Sequence, residues 1–282
     1  MKTSAVLRDA RRALNSSSVI EHYAGQASIE SNELLAEVLG PSESWPSEMT
    51  AAQVRGFEAL LSRRLEGEPV AVIRGWEMFR GLRVGVRPGV FVPRQSSELL
   101  AEQAVRRLRA RRHPIAVDVA TGAGAVALAI ANEVPGTTVF GTDIAADAVG
   151  LARANARRLH LRARFLLADG LAALPPSIRG AVDVMTLHPP YVPIDEVETL
   201  PDEFRRFEPV HTHSDGSDDG MQLVRETASG SEGWLKPGGW LAVEVSPDVS
   251  RTVASILRAA NLRGVKITGT RPWGTRVIVG TR

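Results

Sequence analysis

Three acids and a run of small residues mark where this chain could do chemistry. Asp118-Val119-Ala120-Thr121-Gly122-Ala123-Gly124 follows the apolar run that starts at Ile115, and its small residues open a helix. A ligand can approach such a backbone closely and meet free amides at the helix start. Gly122, Gly124 and Ala127 fit a dinucleotide fingerprint, and Asp143, roughly 20 residues further on, can hold a ribose hydroxyl of either NAD or S-adenosylmethionine. Asp118 can meet an ammonium group, and Asp169, at the end of the third strand, can accept from an adenine amino group. Carboxylates repel a pyrophosphate, so the three acids together fit a nucleoside with a positively charged amino-acid tail better. Ala120, Thr121, Ile144 and Gly170 adjoin these positions and complete the expected cofactor contacts. Taken singly, each acid is equally a strand-end or turn cap.

The second constellation is TLHPPYVP, Thr186 to Pro193. Ligands bind outside the carboxyl ends of strands in an open parallel sheet, which places His188, Pro189, Pro190 and Tyr191 beside the cofactor. Two prolines fix the backbone and remove amide donors, leaving the carbonyls of His188 and Pro189 as acceptors, while Tyr191 offers a flat face. Such a motif suits a planar nitrogen group whose N–H bonds point at fixed acceptors. His188 can accept one N–H, serve as a general base toward an amine, guanidinium or hydroxyl, or simply cap the strand. All three roles stay open at this point.

Two weaker signals lie further along. HTHSDGSDDG brings His211, His213, Asp215, Asp218 and Asp219 together, but without a defined metal spacing, so ordinary loop formation is the better reading and no metal is expected. Glu244 ends a strand and either touches the pocket or only terminates that strand.

The elements that must position these residues follow from periodicity. From Thr3 to about Glu66 the pattern is helical, with Thr50 and Gln53 forming a capping box and Met49 with Val54 a hydrophobic staple. Val54, Phe57, Leu60, Leu61 and Leu65 share one face, with arginines and glutamates on the other. The period then changes to two. Leu82, Val84 and Val86 predict a strand, Pro88-Gly89 a turn and Val90 to Val92 the returning strand. A helix from Ser97 to Leu108 leads into the strands IAVDVA, TTVFGTDI, RFLLAD, VDVMTL, WLAVEV, VKITGT and RVIVG, with helices near 124–133, 145–160, 219–235 and 248–260 between them. Alternation at this spacing predicts a parallel sheet covered on both faces, with an antiparallel hairpin at one edge.

The 282 residues, 44% of them hydrophobic, can bury a large domain and a small one. Net charge is only +2, and the basic runs Arg106 to Arg112 and Arg157 to Arg164 suit solvated helix ends, so nucleic acid is not the expected partner. The absence of cysteine excludes disulfide scaffolds, thiolate metal sites and cysteine nucleophiles, and suits a cytoplasmic home. The longest apolar run, Ala123 to Ala131, is too short to span a bilayer, and the amino terminus carries no apolar signal core.

Several motifs together resemble the release factor glutamine N5-methyltransferases, whose strand-four motif is Asn-Pro-Pro-Tyr. They are EPVAVIRGWEMFRGL before the hairpin, FVPRQSSELL after it, VDVATGAGAVALAIA, HPPYVP, FEP at Phe207 to Pro209, DDG near Gly220 and WLKPGGWLAVEV. The resemblance implies an α/β fold, a seven-stranded, mostly parallel, doubly wound class I methyltransferase domain at 95–282. Ahead of it come a helical substrate-docking domain at 1–78 and a β-hairpin linker at 79–94. It implies S-adenosyl-L-methionine as cofactor, held at Asp118, Gly122, Gly124, Asp143 and Asp169. Substrate contacts fall at His188, Pro189, Pro190 and Tyr191, with Phe91, Pro93 and Arg94 at the mouth. The implied acceptor is a glutamine side-chain amide of a protein such as a peptide chain release factor docked on the helical domain. Alternatives are a small-molecule amine, guanidine or hydroxyl, the adenine N6 of a nucleic acid, or cofactor binding without catalysis. This chain departs from the family at Ala120, which replaces a glycine, at His188, which replaces the asparagine, and at Asp219-Gly220, which aligns only with a small insertion.

Overall fold

The computed structural model describes residues 1–18, 25–269 and 274–282. In chain order the elements are α1 (Thr3–Asn15), α2 (Gln26–Leu39), α3 (Ala51–Leu65), α4 (Val70–Arg74), β1 (Trp76–Phe79), β2 (Leu82–Gly85), α5 (Glu98–Leu108), β3 (Ile115–Val119), α6 (Ala125–Glu133), β4 (Thr138–Asp143), α7 (Ala146–Arg158), β5 (Ala163–Leu167), β6 (Val182–Leu187), α8 (Asp202–Phe207), α9 (Gln222–Trp234), β7 (Leu235–Val245), α10 (Ser250–Ala259), β8 (Arg263–Thr268) and β9 (Arg276–Thr281). The helical reading across residues 19–24, and Thr270 at the end of VKITGT, lie outside the described residues. No helix among the described residues is long and apolar enough to cross a membrane.

The chain forms two compact units, of which the larger comprises Glu77–Val86, Val90–Val197 and Val210–Arg282. Its seven-stranded sheet has the order β5-β4-β3-β6-β7-β9-β8. The strands from β5 to β7 are parallel, while β9 runs antiparallel to both β7 and β8. Central β6 is buried along its whole length, as a strand covered on both faces must be. On one face Leu100, Leu108, Leu128 and Ile130 pack with Ala116 and Val184. On the other, Val224, Trp234, Val253 and Leu257 pack with Val117, Met185 and Leu187.

The hairpin differs from the expected one. Its strands are β1 and β2, and its turn is Arg80-Gly81, with φ of 46° and 76°; residues 90–92 form no strand. A two-residue turn with both φ positive matches strand twist, whereas the Pro88-Gly89 signal only bends the chain after β2. Strand β7 begins at Leu235, five residues before the expected Trp240, and absorbs the extra length through a register shift against Val182 and Val184.

The smaller unit comprises Met1–Trp76, Arg87–Gly89 and Glu198–Pro209. Val6, Ala10, Leu34, Leu35, Met49, Phe57 and Val70 form its core. The capping box is formed: the Thr50 amide donates to Gln53 Oε1 at 2.8 Å and the Gln53 amide to Thr50 Oγ1 at 3.3 Å. Two sequence expectations change here. Arg64, read as part of a solvated face, is 1% exposed. Residues 198–209, read as part of the 95–282 domain, group with the helices instead. One interaction accounts for both. Arg64 donates bidentately to Glu30 at 2.9 Å, and its Nη1 lies 2.8 Å from Glu203 Oε2. Burial opposes the guanidinium charge, but Glu30 and Glu203 outweigh it and raise the Arg64 pKa.

A buried charge whose partner is removed costs far more than the pair contributes. Replacing Arg64 by Met should lower unfolding free energy by about 3–5 kcal/mol, measured by chemical denaturation. Replacing Glu30 and Glu203 by Met in the same chain should recover most of that loss.

Candidate functional site

Parallel register brings the strand ends level. Val119 pairs with Thr142 on one side and Leu187 on the other, Asp143 pairs with Leu167, and Leu187 pairs with Val243. Across the sheet this sets Asp143, the 120–124 loop, His188 and Glu244 side by side, at about 4.8 Å per strand step.

The loop after β3 is pinned from several directions. Asp118 is 3% exposed, and its carboxylate accepts from Thr121 Oγ1 at 2.6 Å and Thr186 Oγ1 at 2.7 Å. Burial raises its carboxyl to about 6, despite the two hydroxyl donors. Asp143 accepts from the Gly122 amide at 2.8 Å and the Ala145 amide at 2.9 Å. It too is raised, chiefly by burial. Beside it, Ile144 is 63% exposed and presents a bare apolar face. Gly141 on β4 leaves room for this arrangement, because a Cβ there would lie 2.6 Å from the Phe165 ring and 2.9 Å from Thr121 Oγ1. Asn155, which the sequence did not single out, donates to Ala123 O at 2.9 Å and to Gly85 O at 3.0 Å. Nothing in its sequence context distinguishes it from other helix residues.

The strand-four motif is equally constrained. His188 Nδ1 lies 3.1 Å from Ser97 Oγ and 3.7 Å from Glu244 Oε2. Phe91 meets the His188 ring edge-on at 5.5 Å, and the Tyr191 ring stacks on it at 6.1 Å and 21°. Arg94 sits over Phe91 at 4.5 Å, while Pro93 is buried. Burial and then the Glu244 charge raise the Tyr191 phenol, opposed by Ser246. Residues 213–215 pair back onto the motif: the Asp215 amide donates to Pro190 O at 3.0 Å and the Val192 amide to His213 O at 2.8 Å. Gly220, at φ 63°, lies so close that a Cβ would fall 2.2 Å from the Tyr191 carbonyl oxygen.

Asp169 and Gly170 follow β5, and the Ala168 amide just before them donates to Asp143 O at 2.9 Å. Strand β5 ends at Leu167, two residues before Asp169. Both residues line a cavity of about 360 Å³ with Leu171, Arg179, Thr227 and Trp234, which no other expected site residue lines. In HTHSDGSDDG, Asp215 and Asp219 serve as turn and helix caps. Asp215 accepts from the Ser217 and Leu223 amides at 3.0 and 2.9 Å, and Asp219 is clamped by Arg225 at 2.8 and 2.9 Å.

A sheet of this order, with a glycine turn after β3 and a Pro-Pro-aromatic motif after β6, defines the class I methyltransferase architecture. Two solved structures show the same fold. A methyltransferase from Pyrococcus furiosus is 16% identical with a TM-score of 0.51, covering 78% of this chain and 96% of its own. A T. Thermophilus 16S rRNA methyltransferase, solved with AdoMet and guanosine, is 20% identical with a TM-score of 0.54, covering 73% of this chain and 49% of its own. The PrmC N-terminal domain matches residues 5–75 and the methyltransferase small domain residues 81–202. The release factor glutamine methyltransferase of Bordetella pertussis is 34% identical over 86% of this chain and 90% of its own length. That of Bradyrhizobium diazoefficiens is 36% identical over 76% and 72%. The chain belongs to the release factor glutamine methyltransferase family.

Within the loop, Ala120 holds φ at 53°, a left-handed conformation that costs a residue with a Cβ about 1–2 kcal/mol. Ala120→Gly should therefore raise the unfolding free energy by about 1 kcal/mol or less, since the greater unfolded-state entropy of glycine offsets part of the relieved strain, as chemical denaturation would show.

Proposed function

We propose that the chain transfers a methyl group to a glutamine side-chain amide nitrogen of a release factor or similar protein. The observation that carries this is the tie between the two halves of the site: buried Asp118 binds Thr121 in the glycine loop and Thr186, two residues before His188. Cofactor loop and substrate motif are thereby held in one frame.

The methyl donor is S-adenosyl-L-methionine, which when bound supplies an electrophilic methyl on a sulfonium. The residues present fit it. Asp143 keeps unused lone pairs for ribose hydroxyls, Ile144 offers an apolar surface to adenine, and Gly122 and Gly124 leave the backbone open at the start of α6. Asp118 favours the ammonium of the amino-acid tail. Ala120, Thr121, Asp169 and Gly170 would complete this assignment, the Asp169 carboxylate as an acceptor for the adenine amino group. On the acceptor side, Pro190 O is occupied by Asp215, so a carbonyl of His188 or Pro189 is offered to one of the two substrate N–H bonds, and the other faces the His188 side chain. Phe91 and Arg94 edge the substrate opening, and Tyr191 backs it. Residues 1–78 serve as the docking domain and 79–94 as the linker. Catalysis is chiefly alignment of a weak nucleophile, worth many powers of ten when the geometry is held.

Incubation with labelled cofactor and a purified bacterial release factor should place one methyl on a glutamine, read by peptide mass spectrometry. Labelling of small amines or nucleic acid with none in the release factor would overturn the assignment. Proton linkage gives a separate check. With Asp118 raised to about 6, a cation that favours its ionised form expels a proton at low pH. Cofactor affinity should rise between about pH 5 and 7, and Asp118→Asn should flatten that rise in calorimetric titrations.

A further inference from the structure

Glu244 is 1% exposed, and its two carboxylate oxygens are used unequally. Oε1 accepts from Thr275 Oγ1 at 3.1 Å, whereas Oε2 is buried with no hydrogen-bond partner among the described residues. A buried carboxylate oxygen in that state is costly unless a cation or donor answers it. The group facing it is His188 Nδ1, at 3.7 Å, with Ser97 Oγ at 3.1 Å from the same nitrogen. A carboxylate only accepts, so it favours the proton on Nδ1, and Ser97 Oγ accepts in the same sense. Nε2 then carries the lone pair. The His188 side chain is 20% exposed, with Phe91 edge-on to its ring.

We infer that His188 is the proton acceptor of the transfer and that Glu244 is the positioning residue that makes it one; this deepens, and rests on, the assignment of amide-nitrogen methylation. The acceptor nitrogen donates its N–H to Nε2 as it attacks. The nitrogen–methyl bond forms, the methyl–sulfur bond breaks with its electron pair going to sulfur, and the nitrogen's proton passes to Nε2. The resulting imidazolium carries its second N–H at Nδ1, against the Glu244 carboxylate, which stabilises that charge where no solvent can. An asparagine at position 188 accepts a hydrogen bond but cannot take the proton. The substitution of histidine therefore changes the fate of the proton and leaves the clamp geometry in place.

The test uses the full chain with S-adenosylhomocysteine bound. Long-range nitrogen-15 spectra of its histidines, with His188 assigned from the signals lost in His188→Asn, read the tautomer directly. Wild type should show Nδ1 protonated and Nε2 bare. Glu244→Leu should shift the population toward Nε2–H, and Glu244→Gln, which can still present an oxygen to Nδ1–H, should restore the wild-type tautomer without the charge. In methyl transfer to a release factor, both Glu244 variants should lower kcat by roughly tenfold or more with KM for the cofactor within about twofold. A wild-type spectrum with the proton on Nε2, or a tautomer unmoved in Glu244→Leu that still binds the cofactor, overturns the proposal. A His188→Asn enzyme as fast as wild type overturns it as well. The spectra need no acceptor, so a release factor left unmethylated by wild type counts against the substrate assignment alone.

Discussion

The buried carboxylate of Asp118 is the interaction on which the site depends. It lies at the end of β3 and accepts one hydroxyl from the loop that follows and one from the neighbouring strand β6. Removing it from water is unfavourable, as its raised carboxyl shows. The two hydroxyls meet that cost only when loop and strand hold one relative position. The same pair of bonds that satisfies a buried charge therefore fixes the distance between the glycine loop and the HPPY motif.

The motif after β6 is held by different means. The 213–215 segment positions its backbone by pairing with Pro190 and Val192. Gly220 lets the following turn reach the Tyr191 carbonyl, a contact that no residue with a Cβ would allow. Within HTHSDGSDDG, which suggests ligands in the sequence, the His213 carbonyl and the Asp215 amide bond to the motif, and the Asp215 and Asp219 carboxylates cap the turn that follows. His188 is correspondingly rigid, with Phe91, Tyr191, Ser97 and Glu244 around it.

The smaller unit follows a related logic with larger charges. Arg64 gathers Glu30 from α2 and Glu203 from α8, and a guanidinium can serve both because its planar fork presents donors along separate directions. Such a buried triad adds little net stability compared with an apolar core. It does specify that the 198–209 excursion, which interrupts the chain between β6 and β7, belongs with the helices.

Much of the fold was legible because it rests on local periodicity and chain order. The strands from IAVDVA to RVIVG, the helices between them, the capping box at Thr50 and the edge antiparallel pair all follow from patterns within a few residues. The glycine loop, Asp143 and HPPY were legible for a related reason: parallel strands present their carboxyl ends on one edge, so residues after each strand must be neighbours. The hairpin register was not, because Arg80 and Pro88-Gly89 give competing turn signals and only packing selects one. Arg64 read as solvated, since helical phase alone cannot reveal two carboxylates arriving from distant segments. By itself, the sequence determined the methyltransferase fold class, its family and the residues at each strand end. Only the tertiary structure decided that Asp118 ties loop to motif, that Asp169 lines a cavity with Thr227 and Trp234, and that Ser97 and Glu244 face His188. Those relations join residues tens of positions apart, and their energies come from burial and distance, which have no local signature in a chain.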